Sequence, residues 1–257
     1  MKIDSHFHVF LAHAVDQSKS RYPVQYDALI DQWKILADKE GIQGGVLVQP
    51  SFLGFDNSFL LGALQQSPKE LRGIAVLEAN TPRGQVLELQ EQGIVGVRLN
   101  LYGEPNPSSF IRKNWKLIEL LNECEMHLEI HHDDRFLNSI LLEVPTDTKI
   151  VVDHFGRPKT EMDFIREDSG VQKHANKLWV KLSAQYRTSQ LKHSKVLDYW
   201  RNSIGDQKLL WGSDWPHTRF ESVQNYSQQI NNLKNLITDE RLLDKILIVN
   251  PKELYWT

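Results

Sequence analysis

Short apolar runs, rich in β-branched residues, recur along the 257-residue chain with amphipathic stretches between them. Eight stand out: residues 2–8, 44–49, 73–77, 94–99, 127–131, 149–154, 178–183 and 208–213. Near-continuous apolar runs of this length suit strands buried on both faces, as in a parallel sheet covered by helices. Helical spacing predicts helices over 26–40, 82–92, 109–123, 190–203, 220–236 and 239–248. In the first, Leu29, Ile30, Trp33, Leu36 and Ala37 form one apolar face and Gly41 follows as a stop. Pro82 after Thr81 is a cap-then-proline helix entry, and Asn250-Pro251 reads as the end of the last helix and the start of a short tail.

Eight strands alternating with helices predict a single (β/α)8 TIM barrel over residues 1–257, with an open doubly wound sheet as the competitor. The positions of the polar residues favour the barrel. His6 and His8, Gln49, Arg98, His131, His154, Ser183 and Asp214 fall at the ends of successive strands. In a barrel those ends ring one pocket; in an open sheet they would spread along an edge. His6 and His8 lie two apart and so share a strand face, with Asp4 expected one step deeper on it.

Composition adds exclusions. At 40% hydrophobic and 25% charged residues the chain is ordinary for a soluble globular protein, and a net charge of −3 gives no electrostatic case for nucleic acid or an anionic membrane. One cysteine, Cys124, excludes an internal disulfide framework. No run approaches the roughly 20 apolar residues that span a bilayer, and the start MKIDSHFH lacks the apolar core of a signal peptide. The expectation is a cytoplasmic protein.

Three pieces of sequence carry a resemblance. His6-Phe7-His8, the run Asp153-His154-Phe155-Gly156-Arg157-Pro158, and Gly212-Ser213-Asp214-Trp215-Pro216-His217 together look like the amidohydrolase superfamily (amidohydrolase family 2). Gly96-Val97-Arg98-Leu99-Asn100 and Lys181-Leu182-Ser183-Ala184-Gln185-Tyr186-Arg187 narrow it to the branch of pyrone-dicarboxylate and sugar lactonases. The resemblance implies hydrolysis of a lactone, a cyclic ester, of a small carboxylated substrate.

The residue chemistry agrees. Asp214 is the natural general base for water attacking a carbonyl. His6, His8 and His154 would polarise that carbonyl by hydrogen bonding as it becomes an oxyanion. Arg98, Arg157 and Arg187 each follow a strand end and offer the planar fork that grips a carboxylate. Gln49, Tyr186 and His217 would add polar contacts to substrate, whereas His13, His174 and His193 read as solvated surface residues. The loop Leu101-Tyr102-Gly103-Glu104-Pro105 is acidic where the dicarboxylate-binding relatives offer a further basic group, which bears on the substrate more than on the reaction.

The metal question has two answers. His6, His8, His131 and Asp214 would make a set of three nitrogens and one oxygen for a single Zn2+. Arg98 stands where two-metal members carry a bridging Lys or Glu, so a binuclear centre is not expected. Lactonases of this branch work without metal, and an ester carbonyl needs less activation than an amide. The expectation is therefore that no cofactor is required. The alternative is a zinc-dependent amidohydrolase or decarboxylase acting on a carboxylated ring.

Overall fold

The structure, a computed structural model, describes residues 1–17, 20–132, 137–160 and 168–256. All eight expected strands form: β1 Lys2–Phe7, β2 Ile42–Val48, β3 Leu71–Ala75, β4 Ile94–Asn100, β5 His127–His131, β6 Ile150–Val152, β7 Leu178–Ser183 and β8 Leu209–Gly212. Each pairs in parallel with the next. Around them lie α1 Ile30–Lys39, α2 Ser58–Gln65, α3 Arg83–Glu91, α4 Pro107–Lys113, α5 Trp115–Glu123, α6 Leu137–Glu143, α7 Ser169–His174, α8 His193–Ile204, α9 Tyr226–Leu236, α10 Glu240–Asp244 and α11 Asn250–Tyr255. This is a (β/α)8 barrel. No helix among the described residues is long and apolar enough to cross a membrane.

The helix layer departs from the pattern in instructive places. Helices α2, α6 and α7 are eight residues or fewer, too short for a clear 3.6-residue stripe. The helix expected over 109–123 breaks at Asn114, whose side chain donates back to the Phe110 carbonyl at 2.9 Å. Asn250-Pro251 starts a helix rather than a tail, since proline in the first turn removes no needed donor. Asn250 Nδ2 anchors this last helix by donating to the carbonyls of Asp206 and Leu209, both at 2.8 Å. Leu254 and Tyr255 then pack against Ile3, Val46, Ile74 and Leu210 as an apolar plug inside the barrel. His174 is buried rather than solvated, with Nε2 2.9 Å from the Leu141 carbonyl. His193 is half-buried, its Nε2 3.0 Å from Thr188 Oγ1, and His13 is exposed as expected.

Closure between β8 and β1 positions the site. The Asp214 amide donates to the His6 carbonyl and the His8 amide to the Trp215 carbonyl, each at 2.8 Å. Asp4 locks this seam from outside. The register of β1 against β2 breaks between Asp4 and Phe7, so Asp4 does not share the face of His6. Its carboxylate turns into the helix layer and accepts from Ser213 N at 2.8 Å, Ser213 Oγ at 2.6 Å, Tyr226 OH at 3.0 Å and Trp33 Nε1 at 3.1 Å. Burial alone raises the pKa of this carboxyl, although these donors work against the rise.

Gly212 is required at the same seam, because a Cβ there would lie 2.4 Å from the His6 Cβ and 2.9 Å from its amide nitrogen. Gly212→Ala is expected to destabilise the fold by about 1–3 kcal/mol, the usual cost of overpacking. Denaturant unfolding checks this, and a midpoint equal to wild type would show that the seam has slack.

Candidate active site

Above the apolar plug the barrel interior turns polar. Arg98 of β4, Glu129 of β5, Asp153 after β6 and Lys181 of β7 are buried together with His6. Arg98 donates to Asp153 Oδ2 through Nε at 3.1 Å and Nη2 at 2.6 Å. Lys181 makes a very short contact with Glu129 and lies 3.5 Å from Asp153 Oδ1. Burial raises the Glu129 carboxyl and Asp153 adds to the rise, against the pull of Lys181 and Arg98. For Asp153 burial also opposes the charge, but Arg98 foremost, with Lys181, outweighs it and holds the carboxyl well below the ordinary range.

On this layer stand the histidines and Asp214. The Nε2 atoms of His8, His6 and His154 lie 3.4, 3.6 and 3.9 Å from Asp214 Oδ1. Residues separated by up to 208 positions thus converge on one oxygen, as the strand-end pattern predicts. The backbone of this rim is bent: His154, Phe155, Arg157, Asp214 and His217 all have positive φ. His154 therefore sits in the turn after a three-residue β6 instead of ending the strand.

Each imidazole is oriented through its other nitrogen. His8 Nδ1 lies 2.7 Å from the Val48 carbonyl, which can only accept, so this nitrogen carries a proton. His154 Nδ1 meets Ser183 Oγ at 2.9 Å. His6 Nδ1 meets both Lys181 Nζ and Asp153 Oδ1 at 3.1 Å. Burial lowers the pKa of His6 well below the ordinary value and that of His154 to about 3, so both rings are neutral at pH 7.

Asp214 is anchored through its other oxygen. Oδ2 accepts from Arg187 Nε at 2.8 Å and from Tyr186 OH in a short bond. Burial would raise this carboxyl, but Arg187 foremost outweighs it and holds the group well below the usual carboxylate range. Tyr186 is pushed the other way by burial and the Asp214 charge, so it remains a donor.

A cavity of about 250 Å³ opens above Asp214, with His8 and His154 beside it. Arg98, Arg157 and Arg187 all line it, and so do Arg21 and Arg219. Arg21 and Arg219 were not singled out from sequence. Their signal is an arginine next to an aromatic residue, Arg21-Tyr22 and Arg219-Phe220, in the segments after β1 and β8. Arg21 and Arg157 pack over the Tyr102 ring at 4.8 and 4.6 Å. The acidic Glu104 in that loop is turned to a local role, accepting from the Asn106 amide at 3.1 Å.

Other candidates are placed elsewhere. Gln49 is buried and its amide donates to the Asp56 carbonyl at 2.6 Å, so it shapes the loop after β2 and does not line the cavity. His217 is buried behind Tyr186, with ring centroids 6.0 Å apart. His131 does line the cavity but stacks on Tyr102, its Nδ1 facing Asn100 Oδ1 and its Nε2 facing Arg157 Nη1, each at 3.1 Å. It is therefore no partner to His6, His8 and Asp214. Among the described residues those three alone, without His131, bring ligand atoms within 4.8 Å of one another; His6, Asp153 and His154 do so as a second group. The donor types of the first group fit a divalent cation.

A family model for amidohydrolases matches residues 3–256. The chain belongs to the amidohydrolase family. Among its relatives, a 4-sulfomuconolactone hydrolase from Rhizobium radiobacter is 27% identical over 271 residues, covering 98% of this chain and 89% of that protein. A 2-pyrone-4,6-dicarboxylate hydrolase from Comamonas testosteroni is 25% identical over 277 residues, covering 99% and 90%. A crystal structure described as a probable 2-pyrone-4,6-dicarboxylic acid hydrolase from Acinetobacter baumannii, with citric acid bound, superposes with a TM-score of 0.89 at 33% identity, covering 100% of this chain and 99% of that one.

In this amidohydrolase the hold of Arg187 on Asp214 generates a prediction with a defined sign. Removing the cation disfavours the carboxylate, so Arg187→Met is expected to raise the Asp214 pKa. The acid limb of the kcat–pH profile then moves to higher pH. An unmoved limb would mean that the titrating base is another group.

Proposed function

We propose that the protein is a hydrolase that opens a small carboxylated lactone by general-base attack of water. One observation carries this reading: a carboxylate with one oxygen fixed and one free lies at the floor of a cavity lined by five arginines. Such a cavity attracts an anionic substrate and sets its reacting carbonyl near a base. The relatives' names agree, since a pyrone dicarboxylate and a sulfomuconolactone are cyclic esters bearing acidic groups. The citrate in the Acinetobacter structure is likewise a polycarboxylate.

In the reaction, Asp214 Oδ1 takes a proton from water as the water oxygen bonds to the ester carbonyl carbon. The tetrahedral intermediate collapses by breaking the ring carbon–oxygen bond. Asp214 returns its proton to the departing oxygen, and the product carries a new carboxylate and a hydroxyl. The three histidines take different parts. His8, with its Nδ1 proton given to Val48, presents a bare Nε2 when neutral and therefore accepts from the attacking water rather than donating to the carbonyl. His154 lines the cavity, and a hydroxyl proton from Ser183 to its Nδ1 leaves Nε2–H to donate to the developing oxyanion. Arg157 and Arg187 supply further positive charge there, while Arg21 and Arg219 receive carboxylate at the rim. His6 lies beneath, facing the base.

The reading requires no metal, because an ester carbonyl held among arginines is already activated. His6, His8 and Asp214 are the residues that would hold a divalent cation such as Zn2+, and such an ion would supply a more acidic water.

Two measurements test the proposal. Asp214→Asn keeps the shape but removes the base, so kcat should fall roughly 100-fold or more with little change in KM. Assayed over a lactone panel, hydrolysis should favour substrates with carboxylates and persist after thorough chelation. A preparation that turns over only when zinc is added would overturn the metal-free mechanism, and equal rates on neutral lactones would overturn the substrate class.

A further inference from the structure

Lys181 is wholly buried on β7, below the cavity and out of reach of any substrate. It faces Glu129 Oε2, Asp153 Oδ1 at 3.5 Å and His6 Nδ1 at 3.1 Å. An ammonium has three N–H donors and no acceptor. Its approach to an imidazole nitrogen is favourable only if that nitrogen carries a lone pair; an N–H there would set two donors against each other. Asp153 Oδ1 is equally near His6 Nδ1, at 3.1 Å, but makes no aligned hydrogen bond with it or with any other described group. Asp153 instead spends Oδ2 on Arg98.

The geometry points to Lys181 as a positioning residue that fixes His6 in the tautomer with a bare Nδ1 and a protonated Nε2. That Nε2 is buried, faces Asp214 Oδ1 at 3.6 Å, and has no hydrogen-bond partner among the described residues. Protonated, it is a donor held ready at the base and its water. It is then not a metal ligand, because the lone pair a cation needs is on the wrong nitrogen. Asp153 is the opposing influence: accepting from Nδ1–H, it would turn the Nε2 lone pair upward and complete the group of His6, His8 and Asp214 that suits a cation. The balance of Lys181 against Asp153 below the site therefore selects between water activation by Asp214 and metal binding. This consequence rests on the hydrolysis proposed above; the tautomer does not.

Ring nitrogen chemical shifts and two-bond proton couplings, read by NMR on protein with 15N-labelled histidine, distinguish the two tautomers directly. The His6 signals are assigned by their loss in His6→Gln. In the wild type His6 is expected to show a protonated Nε2 and a bare Nδ1; the reverse pattern overturns the inference. In Lys181→Met the proton should move to Nδ1, zinc affinity measured by calorimetry should rise, by roughly the tenfold or more that residues behind a metal ligand command over affinity, and kcat should fall while KM moves little. Where Lys181→Met does not fold because Glu129 loses its partner, the double variant Lys181→Met/Glu129→Gln removes both charges and is read in the same way. An unchanged tautomer in the folded variant rejects the role of Lys181. A wild type that opens no lactone but shows Nε2–H at His6 rejects the proposed reaction and supports the tautomer assignment.

Discussion

Charge sealed inside the barrel is the constraint on which the site depends. An isolated ion at the position of Glu129 or Lys181 would cost several kcal/mol, and removing one partner of a buried pair typically costs about 3–5 kcal/mol. Arg98, Glu129, Asp153 and Lys181 are tolerable only as a group, each within ion-pair distance of an opposite charge. That mutual need fixes their rotamers, and the rotamers fix what rests on them. His6 stands on Lys181 and Asp153, and its ring meets those of His8 and His154 with centroids 4.9 Å apart in both cases. The histidines and Asp214 thus inherit their geometry from an ionic layer of which, among the described residues, only Arg98 borders the cavity.

Arg187 links that geometry to recognition. It borders the cavity while its Nε is committed to Asp214, so one guanidinium holds the carboxylate and faces the cavity. The sequence pattern marks Arg187 as a carboxylate clamp at a strand end, and does not announce its bond to Asp214.

What could be read in the sequence follows from periodicity. Eight apolar runs announced eight strands, and polar residues at their ends announced one ring; His6, His8, His154 and Asp214 do meet there. The ionic layer was also visible in principle, as polar residues alternating within strands otherwise buried on both faces: Glu129 between Leu128 and Ile130, Lys181 between Val180 and Leu182. A fully buried parallel strand has no reason to alternate unless its inner face meets other charges. Asp4 misled because strand parity assumes an unbroken register, and β1 breaks its register. Gln49, His131 and His217 were read by position alone, yet their surroundings decide their contacts, and position does not carry that information. Arg21 and Arg219 come from loops, where no period applies.

The seam between β1 and β8 has a consequence in time. Asp4 and Ser213 are separated by 209 positions, and their hydrogen bonds close the barrel. Contacts of such long range form slowly, since the chain loses the entropy of a very large loop before gaining anything from them. During synthesis the histidine pair leaves the ribosome more than two hundred positions ahead of Asp214. Until then β1 lacks its closing neighbour, and the buried carboxylate of Asp4 lacks the donors from Ser213 and Tyr226. The converged site is therefore a late acquisition, arriving with the last strand, and any nascent or clipped chain that stops short of residue 214 holds the histidines without the carboxylate they face.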